Sequence, residues 1–549
     1  MKLELVAAGA APLETEAVSG EVLSRAIWLS GKVRPLPLCS GLGRCGRCRV
    51  RWLQPADAVL SESTPIPPPA PLPAEEAVFS QEELAAGWRL ACRHTVPAGA
   101  GLLRLEMPAE NFLPPVAVSA ALPEMQTVSA DILGNVSGDC VSSRPNIALA
   151  VDLGTTSLYW QAVDTASGQE VAGGHFLNPQ AGAGADVISR LAVARKAEGL
   201  SRLAQLVRTS LAGLCRATGA GFICLAANPA MTAIFLEEDV EGLCAAPYRL
   251  PCKGHETYHL PGLPPLYLPP LPAPFVGGDI SAGLAALLAA DTPRPFVLAD
   301  LGTNGELALV DASGQCFLTS VPLGPALEGI GPACGQLAGP DVLTRFSLGA
   351  QGLVGHSPDG SDAPARGISA TGYLSLLAIL RQTGLLDSSG LFLSSEAVAA
   401  TAMPLSRKIG RHFRTGHGQP CLDLPRGQWL SGADVEELLK VKAAFALALD
   451  TLLAEAQLSP RDVACLCLGG ALGEHLQPGV LEELGFVPPG LGRRIRAVGN
   501  SSLAGAALLA RDTAWRERLA ALCAEARLLP LVDNPDFHSA YMRHMRFGV

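Results

Sequence analysis

Four cysteines near the start of the chain have the type and spacing of a metal or cluster site. Cys39, Cys45 and Cys48 form a C-x5-C-x2-C run, and Cys92 follows in Arg89-Leu-Ala-Cys92. Thiolates are soft ligands that select zinc and iron–sulfur clusters. One long loop supplying three ligands, with a distant fourth, is close to the plant-type [2Fe–2S] spacing, lengthened here by one residue in the first gap. Gly41, Gly43 and Gly46 allow a tight loop and aim N–H groups at the sulfurs, and Arg44 and Arg47 add positive charge beside a negative cluster. A four-cysteine zinc site is the rival, but zinc sites usually pair two short knuckles and Cys92 stands alone. Buried thiols without a metal are the third reading. The remaining eleven of the 15 cysteines lack ligand spacing, and Cys465 and Cys467, two apart on a strand, read as small buried residues.

A second chemistry is carried by a duplication. Ala150-Val-Asp-Leu-Gly-Thr-Thr-Ser-Leu returns as Leu298-Ala-Asp-Leu-Gly-Thr-Asn-Gly-Glu-Leu, which aligns Asp152, Gly154 and Thr155 with Asp300, Gly302 and Thr303. Val163-Asp164-Thr-Ala-Ser-Gly168 is echoed by Val310-Asp311-Ala-Ser-Gly314. Each copy reads as strand, Gly-Thr turn, strand and polar turn, so the chain is expected to hold two related subdomains facing one another. Glycine lets backbone N–H groups approach phosphate oxygens, the hydroxyls of Thr155, Thr156 and Thr303 and the polar Asn304 and Gly305 stretch add to that cradle, and an Asp at a strand end offers a hard oxygen for Mg²⁺. Two such hairpins clamp a polyphosphate by positioning and charge. The bland alternative is a pair of ordinary hairpin turns. Leu466-Cys-Leu-Gly-Gly-Ala-Leu-Gly473 adds a strand ending in Gly469, Gly470 and Gly473, against which an adenine and ribose can lie; a plain strand-to-helix turn is the other reading.

The elements that position these residues divide by texture. Residues 1 to 98 read as a β-rich unit, with strands at Lys2–Val6 and Arg47–Leu53, a short helix at Glu21–Leu29, a proline-rich loop at Pro65–Pro73 and a helix at Ser80–Ala86. Residues 99–145 are rich in Pro, Ala and Ser and read as a linker. From Asn146 the pattern becomes α/β. Buried strands are expected at Ile147–Val151, Val297–Leu301 and Val463–Leu468, and helices over Asp186–Leu214, Asp434–Ala456 behind a Ser431 cap, and Ser501–Ala510. Residues 146–296 and 297–549 are the two expected subdomains.

Composition narrows the functional classes. The chain has 549 residues, 48% of them hydrophobic, and a formal net charge of -10. A large core is available, and global disorder is excluded. The acidic balance and the lack of a Lys/Arg-rich block argue against a nucleic-acid partner. Mean hydropathy is +0.28, yet no apolar run reaches the roughly 18 residues of a spanning helix, so no membrane partner is expected. No secretory signal is read at Met1–Ala11, so the thiols are expected to be reduced and the protein cytoplasmic.

In order and sequence, the two hairpins and the glycine-rich strand resemble the phosphate-1, phosphate-2 and adenosine motifs of the actin-like ATPase superfamily. That resemblance implies two ribonuclease-H-like subdomains with ATP between them, and Asp152 and Asp300 holding the water shell of Mg²⁺. Asp279, in Phe275-Val-Gly-Gly-Asp279, lies where that superfamily places a connecting helix. A carboxylate there orients the attacking water or caps the helix. Asp279 and Asp300 are thus the candidate catalytic residues.

The four cysteines ahead of an actin-like ATPase resemble the reductive activators of corrinoid proteins. Further blocks carry this resemblance: Asn178-Pro-Gln through Gly184-Ala-Asp-Val-Ile-Ser-Arg190, Ala227-Asn-Pro-Ala-Met231, Gly324-Pro-Ala-Leu-Glu-Gly329, Val498-Gly-Asn-Ser-Ser-Leu-Ala-Gly-Ala506, and Asn534-Pro-Asp-Phe through Phe547. The resemblance implies an α/β protein with an N-terminal β-grasp, ferredoxin-like [2Fe–2S] domain on Cys39, Cys45, Cys48 and Cys92, then the actin-like ATPase domain. It also implies ATP-driven transfer of one electron to Co(II) of a corrinoid protein or corrinoid-dependent methyltransferase, with a low-potential donor refilling the cluster. Members commonly carry a middle domain, and the interval between Cys92 and Asn146 implies that most of it is missing. Gly367-Ile-Ser-Ala-Thr-Gly372 and Thr319-Ser320 depart from the family's glycine-rich and Cys-Ser segments. The competing classes are a small-molecule kinase with an accessory cluster, a radical-dehydratase activator, which lacks an N-terminal ferredoxin-like domain, and a non-enzymatic electron-transfer module.

Overall fold

The computed structural model describes residues 1–36, 38, 41–43, 45–53, 66–99, 101–112, 144–302, 304–329, 331–400, 403–416, 418–470, 473, 476–529, 531 and 536–548. Cys39, Arg44 and Thr303 lie outside the described residues. The chain forms two compact units, Met1–Pro269 with Ala506–Thr513, and Pro270–Gly505 with Ala514–Val549. Among the described residues no helix is long and apolar enough to cross a membrane.

The first unit opens with a five-stranded sheet. Its spatial order is Leu13–Glu16, Lys2–Val6, Leu102–Glu106, Arg49–Trp52 and Trp88–Leu90. Alternation fixes the inward face: Leu3, Leu5, Val50, Trp52, Leu103 and Leu105 are buried on the helix Leu23–Trp28, through Ile27 and Trp28. The strand Leu102–Glu106 sits at the centre, parallel to Lys2–Val6 and antiparallel to Arg49–Trp52. The expected linker therefore begins too early, and the N-terminal body runs on to the Val33 and Phe112 bridge. Leu103 and Leu105 point inward while Arg104 and Glu106 pair outward with Glu4 and Arg51. That is a full strand signal, hidden in sequence by the surrounding Pro, Ala and Gly. The rest of the linker reading falls on residues 113–143, outside the described ones.

The same unit continues into a six-stranded sheet, ordered Glu256–Tyr258, Leu266–Leu268, Ala220–Ala227, Arg144–Leu153, Ser157–Asp164 and Glu170–Leu177. Strand Arg144–Leu153 forms an antiparallel meander with the two strands that follow it and pairs in parallel with Ala220–Ala227. Such a central strand is buried on both faces, which is why Ala148, Leu149, Ala150 and Val151 run continuously apolar. The long helical stretch expected at Asp186–Leu214 is two helices, Val187–Ala194 capped by Asp186 and Ala197–Thr218.

The second unit repeats this plan. Its sheet is ordered Ile495–Ala497, Cys465–Gly469, Phe296–Leu301, Asn304–Val310, Cys316–Pro322 and Arg527–Leu528. Again a central strand meanders antiparallel on one side and pairs in parallel on the other. The internal repeat is thus a repeat of topology. Helix Gly278–Ala289, expected in the first subdomain, belongs to this second compact unit, and the strand beyond it starts at Phe296. Helix Gly432–Glu455 starts on a capping box: Ser431 Oγ accepts from the Asp434 N–H at 3.2 Å, and Asp434 Oδ2 accepts from the Ser431 N–H at 2.9 Å.

Leu103 tests the corrected boundary. Leu103→Ala leaves a cavity under the N-terminal sheet and is expected to cost about 2–5 kcal/mol. The check is hydrogen exchange of the amides in Lys2–Val6 and Arg49–Trp52, which a linker substitution leaves unchanged.

Candidate functional site

The first Gly-Thr turn is held from beneath by side chains of three sequence blocks. Asn178 donates from Nδ2 to the Gly154 carbonyl at 2.8 Å, and its backbone N–H reaches the Thr156 carbonyl at 2.9 Å. Arg190 donates from Nη2 to the Thr155 carbonyl. Asn228 donates from Nδ2 to Thr155 Oγ1 at 3.2 Å. Asn178, Gln180 and Arg190 are all fully buried, at 0% exposure. A trans peptide sets its N–H opposite its carbonyl. Drawing the Gly154 and Thr155 carbonyls inward therefore turns the N–H groups of Thr155 and Thr156 the other way, as a phosphate cradle requires. At Gly154, an added Cβ would come within 2.9 Å of the Ser157 carbonyl oxygen, so the tight turn excludes larger residues.

These supports have a shared local logic. Asn178 and Asn228 each precede a proline, and each caps the segment that follows by accepting from the N–H of Gln180 or Met231 at 2.9 Å. An N-cap fixes its own backbone, so the remaining amide nitrogen can be aimed at the turn. Sequence reasoning placed these residues only in family blocks and gave none of them a role in the site. The duplicated Asn-Pro pair was the available signal.

The second hairpin meets the glycine-rich strand. Asp300 is paired with Gly469 on the adjacent parallel strand and with Glu306 across the hairpin. Gly470 has φ +76°, and a Cβ on it would lie 3.5 Å from Asp300 Oδ1. A Cβ on Gly469 would lie 3.3 Å from Ser501 Oγ, at the start of helix Ser501–Arg511. With no side chains at 469 and 470, the two strand ends meet closely beside Asp300. Glu306 is buried at 4% exposure and, as the direct partner of Asp300, projects from the same face of the sheet. Two carboxylates on one face favour a cation between them. Gly302 donates its N–H to the Asn304 carbonyl at 3.1 Å, closing the turn. Gly305 has a packing role: a Cβ there would be 2.7 Å from Leu323 Cδ1. Gly473 likewise is pressed on strand Cys465–Gly469, with its Cβ position 2.7 Å from the Leu468 carbonyl oxygen. Asp279 is in the first turn of helix Gly278–Ala289, where Gly277 is the cap residue, and its Oδ1 accepts the Ile280 N–H at 2.9 Å. Asp152 is half-buried at the end of its strand, paired with Ala226.

The cysteine region is organised around a buried carboxylate that sequence reasoning did not single out. Glu75 is 0% exposed. Its Oε1 accepts the Leu90 N–H at 2.7 Å and lies 2.8 Å from His94 Nε2, and its Oε2 accepts the Leu72 N–H at 2.9 Å. It thereby fastens both sides of Cys92 in the 90–94 segment. Arg89, buried beside it, donates to the Pro69, Leu84 and Trp88 carbonyls. The loop bearing Cys45 and Cys48 is tied to this segment. The Ala91 N–H reaches the Cys48 carbonyl at 2.8 Å, and Arg93 Nη1 reaches the Gly41 carbonyl at 3.0 Å. Gly41, Gly43 and Gly46 all have positive φ, so the loop takes the left-handed path that glycine permits. The thiol-only donor set and the loop's tie to the Cys92 segment fit a cluster site. Among the described residues, no group of three or more His, Cys, Asp or Glu is arranged to hold a metal ion. Cys465 and Cys467 are buried with their sulfurs 3.8 Å apart, inside the second-unit sheet.

Two family models match consecutive parts of the chain. Residues 147–289 match the "RACo middle region" and residues 294–548 match the "C-terminal domain of RACo the ASKHA domain". The middle-region match falls on the first six-stranded lobe, so the expectation that most of a middle domain is missing is corrected: that region is present. The chain is similar to the corrinoid activation enzyme RamQ of Eubacterium limosum, at 27% identity over 74% of this chain and 71% of the relative. It is also similar to a [Co(II) methylated amine-specific corrinoid protein] reductase of Methanosarcina barkeri, at 25% identity over 44% of this chain and 43% of the relative. Among solved structures, a reductive activator for corrinoid,iron-sulfur protein shares the fold, with 22% identity, a TM-score of 0.62 and coverage of 100% of this chain and 98% of that one. The α/β architecture thus includes an actin-like ATPase (ASKHA) domain.

Removing the Glu75 carboxylate strands the Leu72 and Leu90 amides in the interior. Glu75→Ala is expected to cost the N-terminal body about 3–5 kcal/mol, read as a lowered denaturation midpoint. Wild-type stability would contradict this assignment.

Proposed function

We propose that this chain, which belongs to the RACo family, is an ATP-dependent reductive activator of a corrinoid protein. The relatives named as corrinoid activation enzyme and Co(II) corrinoid protein reductase support the reaction class. The observation that carries the ATP requirement is the meeting of Asp300, at the end of a central strand, with Gly469 and Gly470 on its parallel neighbour.

The chain's residues divide the task. The N–H groups of Thr155 and Thr156, with Gly154 between the two strands, take phosphate oxygens of ATP. Gly302, Thr303 and Asn304 offer the corresponding turn in the second lobe. Asp152 and Asp300 hold Mg²⁺ through its waters, and Glu306, opposite Asp300, adds negative charge that favours the ion. Gly469 and Gly470 keep backbone accessible to the nucleoside, while Gly473 packs on the strand before them. Asp279 accepts the Ile280 N–H through Oδ1, and its carboxylate is the group assigned to orient the attacking water.

The five-stranded order of the N-terminal body and the helix Leu23–Trp28 packed on it support reading it as a β-grasp, ferredoxin-like domain with a [2Fe–2S] site on Cys39, Cys45, Cys48 and Cys92. Such a cluster, when bound, supplies a one-electron carrier at about -400 mV. The substrate cobalt gains one electron, passing from Co(II) to Co(I), and an external low-potential donor restores that electron. Each 59 mV of unfavourable mismatch lowers a one-electron equilibrium about tenfold. An uphill transfer therefore needs the free energy of ATP, delivered as different affinities of two conformations for the Co(II) partner. Reduced thiols suit a cytoplasmic setting. The partner is a corrinoid protein or corrinoid-dependent methyltransferase.

Asp300→Asn tests the coupling. It is expected to lower ATP-dependent Co(I) formation by at least ~100-fold while sparing the visible absorption of the cluster. Cys48→Ser is expected to do the reverse, removing that absorption while ATP is still bound. Wild-type Co(I) accumulation in Asp300→Asn would overturn the proposal.

A further inference from the structure

The N-terminal body and the first lobe lie in one compact unit, and the contact between them is built with unusual specificity. Arg202, on helix Ala197–Thr218, reaches the C-terminal end of helix Leu23–Trp28. Its Nε donates to the Leu29 carbonyl at 2.8 Å and its Nη2 to the Ala26 carbonyl at 3.2 Å. Its Nη1 pairs with Glu21 at 2.8 Å. A guanidinium there satisfies the helix's last carbonyls and meets the negative end of its dipole. Leu29 is buried as part of the first lobe's core rather than that of its own body. On the other side, Gly182 lies directly beneath Trp28: a Cβ at 182 would come within 2.5 Å of the Trp28 Cβ. The N-terminal helix is therefore seated on the segment Pro179–Ala183.

That segment has a second attachment. It starts at Asn178, which holds the Gly154 carbonyl and the Thr156 carbonyl. Gln180 within it lies 3.4 Å from Arg190 Nη1, and Arg190 in turn holds the Thr155 carbonyl. Gln180 also donates to the Leu203 carbonyl at 3.1 Å, next to Arg202 on the same helix. The floor of the phosphate turn at Asn178 thus lies four positions from Gly182 in the seat of the cysteine domain, and Gln180, the one polar side chain between them, is fully buried.

We propose that this seat is an intramolecular docking surface through which nucleotide at the Gly154–Thr156 turn sets the position of the N-terminal cysteine domain, with Arg202, Gly182 and Gln180 as positioning residues. The inference rests on the nucleotide reading given above. A phosphate that draws on the Thr155 and Thr156 N–H groups pulls on the same peptides whose carbonyls Asn178 and Arg190 hold. Displacing either partner moves Pro179–Ala183, and the close Gly182 and Trp28 contact passes the movement to helix Leu23–Trp28. Close-packed groups of this kind shift between discrete arrangements rather than yielding gradually.

Hydrogen exchange on the full chain, with and without Mg²⁺ and a non-hydrolysable ATP analogue, tests the inference. In the wild type the analogue is expected to slow exchange at residues 154–156 and to change exchange in Leu23–Trp28 by a factor of about 5–150, the usual span of coupling between two sites. Arg202→Ala should keep the first effect and lose the second. Because coupling is reciprocal, the same variant should also shift the analogue's Kd by a comparable factor although Arg202 touches no nucleotide group. Gly182→Leu, which unseats Trp28 from the other side, should reproduce both results. Protection at 154–156 with an indifferent helix in the wild type overturns the docking inference and leaves the nucleotide reading standing. No protection at 154–156 removes the nucleotide reading and the inference together.

Discussion

The planar trans peptide is the constraint on which the first lobe depends. A turn that offers N–H groups to a phosphate must put its carbonyls somewhere, and a buried carbonyl without a donor is costly. Here the Gly154, Thr155 and Thr156 carbonyls are met by Asn178 and Arg190, all within the lobe's interior. The direction in which the turn's N–H groups face is therefore set by what lies beneath it. That also explains the cost accepted in burying Arg190: a guanidinium supplies several N–H donors in a fixed fork, and it reaches the Gly184 carbonyl as well as Thr155.

The second lobe solves a different problem with the same topology. Where the first lobe has Asn228 beside its turn, the corresponding parallel strand of the second ends in Gly469 and Gly470, next to Asp300. In the first copy the residue after the neighbouring parallel strand is an amide donor to the turn, and in the second copy the equivalent strand ends in glycines beside a carboxylate. Equivalent positions of one topology thus carry different side chains.

Much of this was legible in the residues because it is local. The repeat set the two central strands and their turns, and the Ser431 cap announced helix Gly432–Glu455. The strand Leu102–Glu106 was not legible as central, since its partners Lys2–Val6 and Arg49–Trp52 both lie far earlier in the chain, as in the pairs Lys2 with Leu102 and Arg51 with Glu106. Its alternation covers only five residues, and parallel pairing across such a separation leaves no local mark. Asn178, Arg190, Asn228 and Glu75 were missed as supports for a related reason. Their work is to satisfy polar groups of other segments, the Gly154 and Thr155 carbonyls, the Thr155 hydroxyl and the Leu90 N–H among them, and no spacing rule points from a buried side chain to such a remote group. Gly305 and Gly473 illustrate the converse: their motif positions suggested ligand contact, while Leu323 and the Leu468 carbonyl account for the absence of a side chain.

An electron transfer that is unfavourable by itself needs a switch that is nearly all-or-none. Moving an equilibrium from 1:99 to 99:1 takes about 5.5 kcal/mol of differential binding, and a compliant linkage would dissipate it over many small adjustments. Rigid, fully buried side chains are suited to deliver it, because a displaced Asn178 or Arg190 leaves an unsatisfied carbonyl rather than a slightly longer hydrogen bond. Leu29 is placed to make the response cooperative. It lies on the N-terminal body's helix end yet is buried in the first lobe's core, so the two cannot part without exposing apolar surface. A domain that passes electrons to a partner would be expected to hang freely from its linker. Arg202, Gly182 and Leu29 instead anchor the N-terminal body to the first lobe within one compact unit.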